Sequence, residues 1–243
     1  MELKKKVEMM DIAFLNTTKQ ALLKDHLEPA LQKQEKTFIV TANPEIVMKT
    51  REDEEYKQIV QSADYVIADG IGIVKASAIK KQPLQERIPG FELMVDLLDY
   101  ADEKGLRCYF LGAREDVSEK TVQTVAKNFP DLVIAGHHHG FFDLDDERIA
   151  ADIKRAQPDL IFVALGLPRQ EQWIARYLDI FDKGLFMGVG GSFDTLTGEV
   201  PRAPKFWIDL NLEWFYRLLK QPFRWKRILK VFTFMFLILF KRE

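Results

Sequence analysis

The sequence predicts an α/β fold, a mostly parallel sheet with helices on both faces. Three observations point to it. Short β-branched or aromatic runs recur along the chain, amphipathic stretches at helical spacing separate them, and most of the runs end in turn-forming residues. The expected strands cover residues 37–41, 65–68, 107–111, 132–135, 160–165 and 185–189, and the expected helices 45–61, 91–103, 117–129, 147–156 and 170–181. Continuous apolar runs suit strands buried on both faces, and strict alternation with helices suits parallel connections.

With 243 residues, 47% of them hydrophobic, the chain can bury a full core. A division into an α/β core over 1–200 and a basic, aromatic, helical appendage over 201–243 is expected, with no internal repeat or low-complexity linker. The single cysteine, Cys108, lies in an apolar run, which excludes a disulfide framework and fits a buried strand thiol in a reducing compartment. The charged stretch Met1-Glu2-Leu3-Lys4-Lys5-Lys6 lacks the apolar segment of a signal peptide, so a cytoplasmic protein is expected.

The net charge of −2 conceals a lopsided distribution: between Trp214 and Arg242 there are eight Lys or Arg and no acid. A basic tail on an acidic body points to an anionic partner for the tail alone, with no nucleic-acid partner expected. Residues 205–220 read as an aromatic helix, Pro222 marks a break, and a second helix runs to Phe240. Residues 231–240 are apolar apart from Thr233, but a spanning helix needs about 20 such residues. Flanking basic residues and Trp225 suit a helix lying in the headgroup region of an anionic leaflet. The alternative is a C-terminal helix packed on the core or in a dimer interface.

In open α/β sheets ligands bind at the carboxyl ends of strands, so the turns that follow the strands should share one rim. Thr41-Ala42-Asn43-Pro44-Glu45 ends a strand and opens a helix, where Thr41 and Asn43 can either cap the helix or bind a ligand. In Ala68-Asp69-Gly70-Ile71-Gly72 a carboxylate stands at a strand end between residues that let a substrate approach. Asp69 there is either a general base for a sugar hydroxyl or a helix cap. Gly166-Leu167-Pro168-Arg169-Gln170-Glu171 brings Gln170 and a helix N-terminus to the rim, which suits an anionic diphosphate. Gly190-Gly191-Ser192-Phe193-Asp194 ends the last strand in the same way and matches neither dinucleotide fingerprint nor P-loop, which disfavours an oxidoreductase. Asp143-Leu144-Asp145 runs into the acidic first turn of a helix, and His137, His138 and His139 alternate faces if extended, so no metal is expected. Arg217, Arg224 and Arg227 of the tail can then neutralise a departing diphosphate or simply face solvent or membrane.

Taken together, the Thr41–Glu45, Asp69–Gly72, Arg87-Ile88-Pro89-Gly90, Gly166–Glu171 and Gly190–Asp194 motifs resemble, in order and spacing, the WecG/TagA/CpsF glycosyltransferase family (glycosyltransferase family 26). Arg202-Ala203-Pro204 and Glu213-Trp214-Phe215-Tyr216-Arg217 extend the likeness into the tail. The resemblance implies a metal-independent, inverting transferase of Rossmann-like fold without a cofactor. It is nearest the branch that builds the wall teichoic acid linkage unit, in which N-acetylmannosamine moves from UDP to the 4-hydroxyl of undecaprenyl-diphosphate-linked N-acetylglucosamine, forming a β-1,4 bond. It further implies Asp69 as the base, substrate contacts from Thr41 and Gln170, and Arg217, Arg224 and Arg227 on the leaving diphosphate; Asn43, Gly190 and Gly191 are expected to join the substrate-binding set. Peripheral attachment to the inner face of the membrane and self-association are implied as well. Other branches move N-acetylmannosaminuronic acid or glucose, and a non-catalytic, membrane-anchored nucleotide-binding protein is the alternative from another class.

Overall fold

The computed structural model describes residues 6–204, 206–207, 213–220 and 225–240. Its centre is a six-stranded sheet of β3 (Lys36–Ala42), β4 (Tyr65–Ala68), β5 (Arg107–Gly112), β6 (Val133–His138), β7 (Leu160–Ala164) and β8 (Gly184–Gly188). They lie in the order β4-β3-β8-β7-β5-β6, and every neighbouring pair is parallel. Side chains alternate across a strand, so an all-apolar strand feeds two cores. In β3, Phe38 and Val40 enter one core and Ile39 the other. In β7, Ile161 and Val163 part in the same way from Leu160 and Phe162.

The first core is covered by α3 (Pro44–Glu52), α4 (Glu54–Gln61), α5 (Ile71–Ile79), α8 (Glu147–Ala156) and α9 (Arg169–Tyr177). An antiparallel hairpin of β1 (Lys6–Met9) and β2 (Ile12–Leu15) closes its edge with Met9, Ile12 and Phe14. The second core is covered by α6 (Gly90–Lys104), α7 (Glu115–Asn128) and Phe193 of α10 (Ser192–Leu196). A short helical run made of α1 (Lys19–Ala21), a π-helical stretch Leu22–Leu27 and α2 (Glu28–Gln32) adds Leu22, Leu27 and Leu31 to it. Cys108 is buried in this second core, and burial raises its thiol well above the usual range.

The predicted fold class and all six core strands are present. The single helix expected over 45–61 is two. Asp53 between α3 and α4 takes an extended conformation (φ −146°, ψ 104°) and its carboxylate accepts from the Tyr56 N–H at 3.1 Å, so it ends one helix and caps the next. The helix expected over 170–181 ends as α9 at Tyr177 and tightens into a 3-10 turn over Leu178–Ile180. The β1–β2 hairpin and α5 have no counterpart among the predicted elements.

Two helices of the tail are described, α11 (Glu213–Lys220) and α12 (Trp225–Phe240). α12 lies against α3 and α5. Phe234 and Ile238 are buried there, and Lys230 Nζ meets Glu52 Oε2 at 3.1 Å. Trp225, Leu229, Phe232, Phe236, Leu239 and Phe240 recur every three or four residues and are exposed. Among the described residues no helix is long and apolar enough to cross a membrane.

Phe162 is fully buried in the middle of the sheet, stacked on Phe110 with ring centroids 5.8 Å apart. Replacing Phe162 with Ala should cost about 3–5 kcal/mol, because the surrounding strands cannot close the void. A fall in the urea midpoint at unchanged slope would show this, and a loss under about 1 kcal/mol would contradict a close-packed centre.

Candidate active site at the carboxyl rim of the sheet

The polar side chains of interest gather where the strands end. Asn43, just beyond β3, is the N-cap of α3: its Oδ1 accepts from the N–H groups of Glu45 (2.9 Å) and Ile46 (3.1 Å). Thr41 does not cap. It is buried, and its Oγ1 donates to the Gly188 carbonyl at 3.1 Å, tying the end of β3 to the end of β8. The turn after β4 runs directly beside the turn after β3, and a Cβ at Gly70 would stand 2.8 Å from Pro44 Cδ. Only glycine allows that approach.

Asp69 occupies this narrow junction. It is half-buried, and it does not cap α5, whose N-cap is Gly70 with no side-chain hydrogen bond. Instead Asp69 Oδ1 accepts from the Gly90 N–H at 3.0 Å, and the backbone around it is pinned from both sides: Asp69 N–H donates to Ala42 and Ile88 N–H donates to the Ala68 carbonyl. The 88–90 loop thus fixes the orientation of the carboxylate on the rim. An oriented carboxylate at a strand end has the geometry of a general base for an incoming hydroxyl.

Gln170, at the start of α9, lies beneath the rim and is 4% exposed. Its carboxamide is engaged at both ends: Nε2 donates to Glu171 Oε1 at 2.7 Å, and Oε1 accepts from the Gly190 N–H at 3.0 Å. Glu171 is 1% exposed. Burial pushes its carboxyl up to about 7 from 4.5, against the hydrogen bonds from Gln170, its own backbone and Tyr56 that hold it down. Buried Tyr56 lies beside Glu171, and no other partner is found for its hydroxyl or for Glu171 Oε2 among the described residues. Tyr56 is raised far above the ordinary phenol range by burial first and by the Glu171 charge second.

Farther along the rim a cleft of about 770 Å³ opens between the ends of β5 and β7, lined by Ala113, Arg114, Phe141, Leu165, Arg169 and Asp194 among others. The strand order explains its place. From β5 the chain leaves toward β6 on one side, and from β7 it leaves toward β8 on the other, so the connections diverge and leave a crevice. Phe141 is 73% exposed at its edge. Both cleft arginines are committed: Arg114 pairs with Asp116 through two bonds of 3.0 Å, and Arg169 Nη2 donates to the Phe142 carbonyl at 2.8 Å. Burial raises the carboxyl of Asp194, while Arg114 opposes the shift.

The structure therefore places Asp69, Thr41, Asn43, Gln170, Gly190 and Gly191 on or just under one rim. Arg224 lies outside the described residues, as do the side chains of Arg217 on α11 and Arg227 on α12. Asp143 and Asp145 serve the start of α8: Asp143 Oδ1 accepts from Asp145 N–H, Asp145 pairs with Arg176, and Asp146 caps at Arg148 N–H. Among the described residues no three His, Cys, Asp or Glu side chains converge as a metal site would need. Sequence reasoning gave no role to Glu171 or Asp194, and named Arg169, like Arg87, only as a possible cation for a uronic acid donor. For Glu171 a signal existed, since it shares an apolar stripe of α9 with Ile174, three residues on.

The raised carboxyl of Glu171 has a sign that can be checked. A carboxyl whose folded-state pKa exceeds its unfolded one holds more protons when folded, so its contribution to stability is lost as pH rises from 4.5 to about 7. Glu171→Gln lacks this term. The variant should gain on the wild type by up to about 3 kcal/mol across that window and then keep a constant lead. Urea unfolding at pH 5 and pH 8 measures it, and a gap that does not change with pH would contradict a buried, ionising Glu171.

Known proteins are similar to this chain over most of their length. The chain is 44% identical over 207 residues to a Bacillus spizizenii protein named N-acetylglucosaminyldiphosphoundecaprenol N-acetyl-beta-D-mannosaminyltransferase, covering 85% of this chain and 80% of that one. Proteins of the same name from Bacillus subtilis and Staphylococcus aureus are 39% identical over 222 residues and 41% identical over 225. These alignments take in 91% and 92% of this chain, and 86% and 87% of the relatives. A sheet whose rim carries an anchored carboxylate at one end and a cleft at the other is accordingly matched, over residues 7–243, by the model of the WecG/TagA/CpsF glycosyl transferase family, and the chain belongs to that family.

Proposed function

We propose that the protein transfers N-acetylmannosamine from UDP-N-acetylmannosamine to the 4-hydroxyl of N-acetylglucosaminyl-diphospho-undecaprenol, with inversion to a β-1,4 bond, in building a teichoic acid linkage unit. The relatives named above carry this donor sugar and this acceptor in their names. The observation that carries the reading is the layout of the rim. Asp69 ends β4, and the cleft opens between β7 and β5, three to four strands away. At ~4.8 Å per strand that is roughly 17 Å, a span suited to an extended nucleoside diphosphate sugar with its nucleoside in the cleft and its anomeric carbon toward Asp69.

In this mechanism Asp69 takes the proton from the acceptor hydroxyl as that oxygen attacks the anomeric carbon and the bond to the diphosphate breaks. The diphosphate leaves with its negative charge. Arg217, Arg224 and Arg227 are assigned to it, because the two arginines that line the cleft are already engaged, Arg114 by Asp116 and Arg169 by a carbonyl. Residues 201–243 act as an appendage that brings these cations to the site at the membrane surface, where the lipid acceptor is presented. The exposed apolar stripe of α12 and the basic residues around it support this docking.

Asp69→Asn keeps an oxygen that can accept from Gly90 N–H, so the fold should survive while the base is lost. With UDP-N-acetylmannosamine and lipid-linked N-acetylglucosamine, the wild type should add one N-acetylhexosamine by mass spectrometry, and the variant should turn over about 10²-fold or more slowly. Equal turnover would end the role of Asp69. Transfer from UDP-glucose or the uronic acid donor alone would overturn the donor assignment.

Replacing exposed Phe232 and Phe236 together with Glu should leave the core intact and weaken cosedimentation with vesicles containing anionic phospholipid about tenfold or more. Unchanged sedimentation would remove this face of α12 from the membrane.

A further inference from the structure

Glu171 takes no part in the chemistry assigned above, yet an ionisable side chain is kept almost fully buried, with Gln170 and Tyr56 as its side-chain partners. For packing alone, an apolar side chain of similar length would fill the same space without desolvating a carboxylate. What the carboxylate supplies is an acceptor at one point in space, 2.7 Å from Gln170 Nε2.

That point decides which way the Gln170 carboxamide faces. With Nε2 held by Glu171, Oε1 is left toward Gly190, whose N–H it accepts at 3.0 Å. Turned over, the amide would set donor against donor at Gly190 and, with Glu171 ionised, acceptor against acceptor at Glu171. The amide packs closely on Gly188, where a Cβ would come within 2.8 Å of Nε2 and 3.0 Å of Cδ. Gly190 itself takes φ +52°, and among the described residues nothing lies within 4 Å of where its Cβ would stand.

We propose that Glu171 is a positioning residue: by accepting from Gln170 it fixes the polarity of that carboxamide, and through it the Gly190-Gly191 turn against which the nucleoside diphosphate of the donor binds. The inference rests on the proposed function for the location of the donor, and Glu171 acts on the donor only through Gln170.

The test uses the full chain, with UDP affinity by calorimetry and donor and acceptor KM in the transfer assay. Glu171→Met removes the acceptor at nearly constant length and should weaken UDP binding and raise the donor KM tenfold or more, leaving the acceptor KM within threefold. Glu171→Gln still offers an oxygen to Nε2 and should stay within threefold of wild type in both. In a Gln170→Met background, Glu171→Met should cause no further loss, since its effect has no other route; a packing defect would instead add to the first. Should the methionine variant fail to fold, Glu171→Asp carries the same expectation, because one methylene less withdraws the carboxylate from Nε2. UDP affinity and donor KM within threefold of wild type in the Met or Asp variant, or additive losses in the double variant, would overturn the inference. A wild type that binds UDP but transfers no sugar would sink the proposed function while the UDP series still decides the role of Glu171, and a wild type that binds no UDP would overturn both.

Discussion

Five of the six strands are mostly apolar on both faces, the exception being the edge strand β6 with its two histidines, and helices cover both faces, so the interior between the layers is closed to water and substrate. The chain regains polar freedom only where the strands stop. All six run the same way, so those stops coincide along one edge, and the functional side chains collect there for want of any other site. The backbone at this edge has to be satisfied locally. Asn43 caps α3, Thr41 meets the carbonyl at the end of β8, and Gln170 holds the turn that follows. The rim is organised chiefly by this need to pair buried groups, and half-buried Asp69 stands among them.

The sheet was legible because its signals are strong and local. Runs such as 160–164 admit no other reading once flanked by helical periodicity, and the boundaries of α8 follow from Asp146 and the acidic turn around it. The break between α3 and α4 was hidden. Glu52, Asp53, Glu54 and Glu55 carry no apolar marker, and a helix surface and a capped interruption look alike in such a run. The β1–β2 hairpin was hidden too, since four-residue strands beside a charged terminus give periodicity little to act on.

At the site, the sequence marked the right turns but not the partners. That Asp69 is held by Gly90 and leaves the capping of α5 to the backbone depends on a contact between residues 21 apart. Whether Asn43 caps or binds was open from sequence, and two short bonds settle its Oδ1 on the cap. Gln170 was expected to face the rim, and it is turned inward because Glu171 and Gly190 both claim it. The cleft depends on strand order, which no local pattern encodes.

The order of the strands has one more consequence. The interval from Asp69 to the cleft is measured in whole strands, and strand spacing is set by backbone hydrogen bonds that every residue type makes alike. The sheet is therefore a ruler graduated by the peptide group, which point substitution cannot rescale. Changes in the turns can alter what lines either end, but the distance that the proposed donor would have to span between the two stations is a property of topology.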